Sequence, residues 1–235
     1  MDAIERRGQE PARTAAGAFR ARAIQVGIAD DHPILRRALR AWLDAQPGLH
    51  IAGEASSGRE AIDLVRTHAI DVLLLDVDMP GQSGIDALAM IRAKSKRPDL
   101  GVLVFSGYPE ELYALPLLRH GARGYLEKCC APADIAAAVR HVATGRRWIT
   151  PAVAQLLADE ATAPSGQDGG HQRLSPRELQ VLLKLARGQS TTQAASELSL
   201  SPKTVSSLRS GLLRKLDVRS AGQLAYYAVK NRLVA

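Results

Sequence analysis

Val72-Leu73-Leu74-Leu75-Asp76-Val77-Asp78-Met79-Pro80-Gly81 sets a run of aliphatic residues against two acids and a turn. Four consecutive aliphatic side chains leave no polar face, so the segment reads as a strand covered on both sides, as in the middle of a parallel sheet. Asp76 and Asp78, followed by Pro80-Gly81, then fall in the loop at its carboxyl end. Four similar runs flank it, at 24–29, 49–55, 102–105 and 124–126. Helix-length segments separate them, at 34–45, 59–67, 85–93, 110–120 and 133–144. Strands alternating with helices predict an α/β domain, with a central parallel five-stranded sheet and helices on both faces. Pro116 lies inside the fourth helical segment, where it removes a backbone donor, so that helix is expected to begin late or kink.

The strand ends collect chemistry. Asp30 and Asp31 close the first strand, Asp76 the third, Ser106 follows the fourth and Lys128 the fifth. Each alone has a plain alternative, a turn or cap residue for an Asp and a solvated charge for the Lys. Together they sit where open α/β sheets gather their functional groups. Three carboxylates at one edge repel one another unless a cation or proton intervenes, and oxygen-only ligands favour a hard ion such as Mg²⁺. An ammonium and a hydroxyl beside them complete a device for handling phosphoryl groups.

The 235 residues carry a formal charge of +7, unevenly spread. Residues 1–23 hold +2, residues 24–170 hold −3 and residues 171–235 hold +8. A mildly acidic block beside a strongly basic one points to a nucleic-acid or anionic partner for the second. Apolar content of 46% excludes a wholly disordered chain, and no apolar run approaches the ~20 residues that span a bilayer. Residues 1–23 read as a flexible tail with no secretory or transit pattern. The two cysteines, Cys129 and Cys130, are adjacent, so no disulfide framework exists and a cytoplasmic location is expected. Redox chemistry between them is set aside, because an adjacent-residue disulfide is strained.

Ala, Gly, Ser and Pro dominate 161–172, a linker by composition. Beyond it the pattern is helical. Ser175-Pro176-Arg177-Glu178 has a Ser cap, Pro at the first position and Glu three residues after the cap, and Ser201-Pro202-Lys203-Thr204 opens a later helix. A short helix at 192–198 precedes it, and a last one runs over 220–230. The sum is a small all-α, four-helix module of helix-turn-helix type. At about 100° per residue, Val205, Leu208, Leu212 and Leu216 form one stripe. Lys203, Ser207, Ser210 and Arg214 face the other way, the side expected to enter a major groove, with Lys203, Ser206 and Ser207 nearest the bases. Arg209 and Lys215 point sideways, towards phosphates.

The first block resembles the receiver domain of bacterial two-component response regulators. The likeness is carried by Asp30-Asp31-His32-Pro33, by 74–81 with Gly84, by Ser106 and by Gly121-Ala122-Arg123-Gly124-Tyr125-Leu126-Glu127-Lys128. It implies a flavodoxin-like (βα)5 receiver with strand order 2-1-3-4-5. It further implies Asp76 as phosphoacceptor, with Mg²⁺ held by Asp30, Asp31, Asp76 and the backbone carbonyl of Asp78. Ser106 and Lys128 then contact the phosphoryl oxygens, and Tyr125 is an aromatic switch. Asp78 and Tyr108 occupy positions that tune acylphosphate lifetime in receivers.

The basic block resembles the LuxR-type DNA-binding domain, through Leu174-Ser175-Pro176-Arg177-Glu178, Ala186-Arg187-Gly188-Gln189-Ser190, Leu200 to Val205 and Leu213-Arg214-Lys215-Leu216. Receiver plus reader is the NarL arrangement. It implies a sensor histidine kinase as donor, double-stranded promoter DNA as target, RNA polymerase as a further partner and a homodimer when phosphorylated. The expected division is a tail over 1–23, a receiver over 24–145, a partly helical linker over 146–172 and the reader over 173–235. No enzyme with sustained turnover is expected. The competing enzyme is a haloacid-dehalogenase-like phosphohydrolase, which also opens Asp-x-Asp; it lacks the preceding acid pair seen here and needs late acids not found. Two other readings keep the chain as a constitutive DNA binder with a receiver scaffold, or as a protein-contact module.

Overall fold

A strand without a polar face needs cover on both sides, and β3 (Val72–Leu75) has it. The structure, a computed structural model, describes residues 22–94, 97–162, 170–231 and 233–234. Together with β1 (Ile24–Ala29), β2 (Leu49–Ala55), β4 (Gly101–Ser106) and β5 (Gly124–Glu127), β3 forms one parallel sheet in the order β2-β1-β3-β4-β5. The crossovers are α1 (Pro33–Asp44), α2 (Gly58–Thr67), α3 (Gly84–Lys94) and α4 (Glu110–Arg119), and α5 (Pro132–Ala143) follows β5. Val72 and Leu74 pack with Leu39 and Leu43 of α1 and Val139 of α5. Leu73 and Leu75 pack on the other face with Leu64, Leu88 and Leu117 from α2, α3 and α4. The elements match expectation within a residue or two at each end.

Strand register sets which side chains meet. Ala29 lies beside Leu75, and Leu75 beside Val104. The residues that follow, Asp30 and Asp76, therefore leave the sheet as neighbours. Ser106 is aligned with Glu127, and the backbone N–H of Lys128 donates to the Ser106 carbonyl at 2.7 Å. Asp76, Ser106 and Lys128, far apart in sequence, are thus delivered to one edge.

Gly84 fixes how closely α3 approaches the acid loop. A Cβ there would lie 1.8 Å from the carbonyl oxygen of Asp76. No side chain fits, so only glycine lets the helix start under Asp76.

Of the late start or kink expected for the fourth helix, the late start does not form. α4 begins at Glu110 and passes through Pro116 without a break. Pro116 removes one helical donor, but it is buried among Leu115, Leu117 and Leu118, and the apolar packing offsets the loss. The linker also differs from its compositional reading. α6 (Pro151–Thr162) packs on α4 and takes its first two residues, and a 3₁₀ turn (Gly170–Arg173) takes its end. Residues 163–169, like residues 1–21 of the tail, lie outside the described residues.

The helical module follows as α7 (Pro176–Ala186), α8 (Thr191–Glu197), α9 (Pro202–Lys215) and α10 (Ala221–Lys230). Each is started by a serine, Ser175, Ser190, Ser201 or Ser220, whose hydroxyl accepts the backbone N–H three residues on. Ser175 with Glu178 and Ser190 with Gln193 form complete capping boxes.

Replacing Gly84 with alanine forces α3 away from the Asp76 loop. Chemical denaturation should show a loss of about 1–3 kcal/mol, the usual cost of overpacking. Gly107→Ala, where a Cβ meets nothing within 4 Å, should stay within about 0.5 kcal/mol.

Candidate functional site

Two surfaces carry the chain's chemistry, an acidic pocket at the carboxyl edge of the sheet and one face of α9. In the pocket, Asp30 and Asp76 are buried and Asp31 is half-buried. The Lys128 ammonium stands between the two buried acids, 2.7 Å from Asp76 Oδ2, to which it donates, and 2.7 Å from Asp30 Oδ2 as an ion pair. The second Asp76 oxygen accepts the Asp78 backbone N–H at 3.1 Å. Burial raises the Asp76 pKa, against the opposing pull of the Lys128 hydrogen bond and charge. Burial also pulls the Lys128 ammonium down, but its bonds to Asp30 and Asp76 outweigh that, and its pKa ends above the ordinary value. Lys128 therefore stays charged at neutral pH.

His32 caps the acid pair. Its backbone N–H donates to Asp30 Oδ1 at 2.8 Å, and its ring Nδ1 lies 3.0 Å from that oxygen and 2.9 Å from Asp31 Oδ1. Oxygen atoms of Asp30, Asp31 and Asp76 and a His32 nitrogen lie within 4.8 Å of one another. Asp30 Oδ2 is met by the Lys128 ammonium and Asp31 Oδ1 by the His32 ring. Carboxylate oxygens of three acids gathered this closely fit a hard divalent cation such as Mg²⁺ better than a softer metal.

The rest of the predicted set surrounds Asp76. Ser106 is fully buried, and its Oγ accepts the Tyr108 backbone N–H at 3.3 Å. Tyr125 is already turned inward, its hydroxyl donating to the Tyr108 carbonyl at 2.7 Å. Burial drives the Tyr125 phenol pKa well up, so it stays protonated and remains a donor. Tyr108 reaches across the mouth and donates to Asp78 Oδ2 at 3.0 Å, while its ring stacks on Tyr113 at 4.6 Å. Sequence reasoning named Tyr108 and Asp78 separately; their bond and the part of Tyr113 had no signal in the chain.

On α9 the apolar stripe forms as expected, with Val205, Leu212 and Leu216 buried and Leu208 half-buried. Lys203, Ser206, Ser207, Ser210 and Arg214 are exposed on the outer side. Ser210 Oγ donates to the Ser206 carbonyl at 3.0 Å, one turn back. Arg209 is half-buried beside the stripe. Lys215 departs from its expected phosphate-facing place. Its ammonium lies 2.7 Å from Glu178 Oε2 and ties the end of α9 to the start of α7. The Glu178 carboxyl, pushed up by burial but held more strongly by Lys215 and the Ser175 bonds, ends below the usual range.

An ion pair ties the sheet-bearing block to the helical module. The Arg177 guanidinium of α7 grips Asp86 of α3, with Nη2 to Oδ2 at 2.5 Å and Nε to Oδ1 at 3.2 Å. Beside it a small cavity of about 90 Å³ lies between Tyr108, Leu112 and Tyr113 and, from the end of α7, Leu183 and the following Arg187. No pattern in the sequence announced this pair.

Residues 26–140 match the response regulator receiver domain family, and residues 172–228 match the bacterial regulatory proteins of the luxR family. The response regulator UvrY of Escherichia coli K12 is 34% identical, over 89% of this chain and 95% of its own length. The Salmonella typhimurium RcsB response regulator has a solved structure that superposes with a TM-score of 0.65 at 27% identity, covering 89% of this chain and 98% of that one. A second RcsB structure, bound to promoter rprA in the presence of the phosphomimetic BeF3⁻, gives a TM-score of 0.62 at 27% identity, covering 87% and 98%.

The lowered Glu178 pKa sets a pH dependence. Its stabilising part is whole above the unfolded glutamate pKa of about 4.3 and is lost as pH falls through the lower folded value. Urea unfolding at pH 3 to 6 should show a steeper acid loss for the wild type than for Glu178→Gln.

Proposed function

This chain belongs to the two-component response regulators that join a receiver domain to a LuxR-family DNA-binding domain, and from that we propose that phosphorylation of Asp76 switches its binding to promoter DNA. The observation that carries the reading is the Lys128 ammonium, poised 2.7 Å from both Asp30 and Asp76 at one edge of the sheet. The proposed division is a receiver over 24–145, a connecting segment over 146–172 and a reader over 173–235.

In this reading a sensor kinase phosphohistidine is the donor. An Asp76 carboxylate oxygen bonds the phosphorus as the N–P bond breaks, and the departing imidazole takes up a proton. Lys128 moves from the Asp76 carboxylate to a phosphoryl oxygen, and the Ser106 hydroxyl donates to another. Asp30, Asp31 and Asp76, with the Asp78 carbonyl, would hold Mg²⁺, which would neutralise charge on the transferring group. The Tyr108–Asp78 bond covers the mouth and limits water, so the acylphosphate lasts. The chain acts as a stoichiometric acceptor, not as a hydrolase with turnover.

The signal has a short path. α3 starts against the Asp76 carbonyl at Gly84, and within the same first turn Asp86 grips Arg177 of α7. A new dianion at Asp76 shifts the balance between this closed arrangement and one that frees the reader. Tyr226 and Val229 stand 70% and 55% exposed, three residues apart on α10, and give the freed reader an apolar face for a homodimer. Arg214 then meets a phosphate, and Lys203, Ser206 and Ser207 lie nearest base edges. Short serines contribute little base selectivity, so half-site spacing carries more of it. RNA polymerase is the downstream partner and the cytoplasm the place of action. Among the described residues no helix is long and apolar enough to cross a membrane.

A second reading, constitutive DNA binding, has one observation in its favour: the outer face of α9 is open in this arrangement. One experiment divides the two. Electrophoretic mobility shifts with beryllofluoride should show tighter binding by the wild type and no gain for Asp76→Asn; equal binding in every case supports constitutive action. Arg214→Ala should weaken binding across sequences and lower the salt slope by about one.

A further inference from the structure

The α2–α3 seam holds a cleft that the phosphoryl pocket does not use. It has a volume of about 540 Å³, within the ~300–1,000 Å³ of small-molecule sites. Its floor is apolar, with Val65 and Ile91 buried and Ile62 and Met90 half-buried. Its rim is cationic. Arg59 and Arg66 come from α2, Lys94 from the last turn of α3 and Arg97 from just beyond it. Residues 24–170 are net negative, so this is a local reversal of charge.

The cations are not equally engaged. Asp63, the only acid on the lining, is held by Arg66 at 3.0 Å. Arg97 donates to the His68 carbonyl at 2.9 Å and to the Ile70 carbonyl. Arg59 and Lys94 have no hydrogen bond or ion pair among the described residues. Unspent positive charge beside an apolar floor calls for a ligand with an anionic head and an apolar body.

We propose that the α2–α3 cleft binds a small amphipathic carboxylate, its head at Lys94 and its tail along Ile62, Val65, Ile91 and Met90. The cleft runs along the contact between α2 and α3, and its volume is that of a small-molecule site. The ten residues of α2 give the seam a length of about 15 Å, suited to a medium-length acyl chain. The Met90 thioether, which accepts from the Gln82 side-chain amide at 2.8 Å, offers the tail a polarizable surface.

Calorimetric titration of the full chain with sodium decanoate, below its micelle concentration, tests this. Saturable one-to-one binding is expected, with amide shift changes in ¹⁵N spectra centred on α2 and α3. Lys94→Glu should weaken it about tenfold. Lys94→Arg should restore it, and decyltrimethylammonium should not bind. Lys94 is exposed, so the variant should unfold at the wild-type temperature. No saturable binding, equal binding of the cationic amphiphile, or no effect of Lys94→Glu overturns the proposal. Displacement of decanoate by an acidic amphipathic peptide of higher affinity, or Lys94-dependent pelleting with phosphatidylglycerol vesicles, overturns it in favour of a helix or a membrane surface.

Discussion

Three carboxylates at one sheet edge are the constraint on which the rest of the receiver block depends. Strand register makes Asp30 and Asp76 neighbours whether or not their charges agree. Bringing two buried anions together would be strongly unfavourable without a cation between them. Lys128 is that cation, delivered because β5 runs beside β4 and its next residue hydrogen-bonds to the Ser106 carbonyl. The arrangement is stable yet incomplete. Three acids with oxygens gathered within 4.8 Å outnumber the one ammonium, so the edge keeps capacity for a further cation and, through Lys128, for an anion.

The same edge is tied mechanically to the helical module. Gly84 lets α3 begin in contact with the Asp76 backbone, and Asp86 on its first turn holds Arg177. Tyr108 and Tyr113 add an aromatic shelf beside α7. The reader is thereby held through α7, with the outer face of α9 open. Control that works by this contact would act on the freedom and pairing of the module more than on access to its recognition face.

Much of this was legible in the chain because the signals are local. Runs of aliphatic residues marked the strands, and serine caps with proline or glutamate marked α7 and α9. The acid, serine and lysine positions fell at strand ends by inspection. The pairing of Lys215 with Glu178 was not legible. Helical geometry points Lys215 sideways, but only the packing of α7 beside α9 puts a carboxylate there. Pro116 misled for a related reason, since propensity counts the lost hydrogen bond and not the apolar burial that offsets it.

The sequence by itself determined the strand–helix alternation, the acidic edge, the basic helical module and the stripe on α9, because each rests on spacing along the chain. The tertiary structure alone decided the Tyr108–Asp78 bond, the Arg177–Asp86 grip and the cationic cleft between α2 and α3. Each of these joins residues on separate elements, and side chains that meet only through packing leave no period or motif to read.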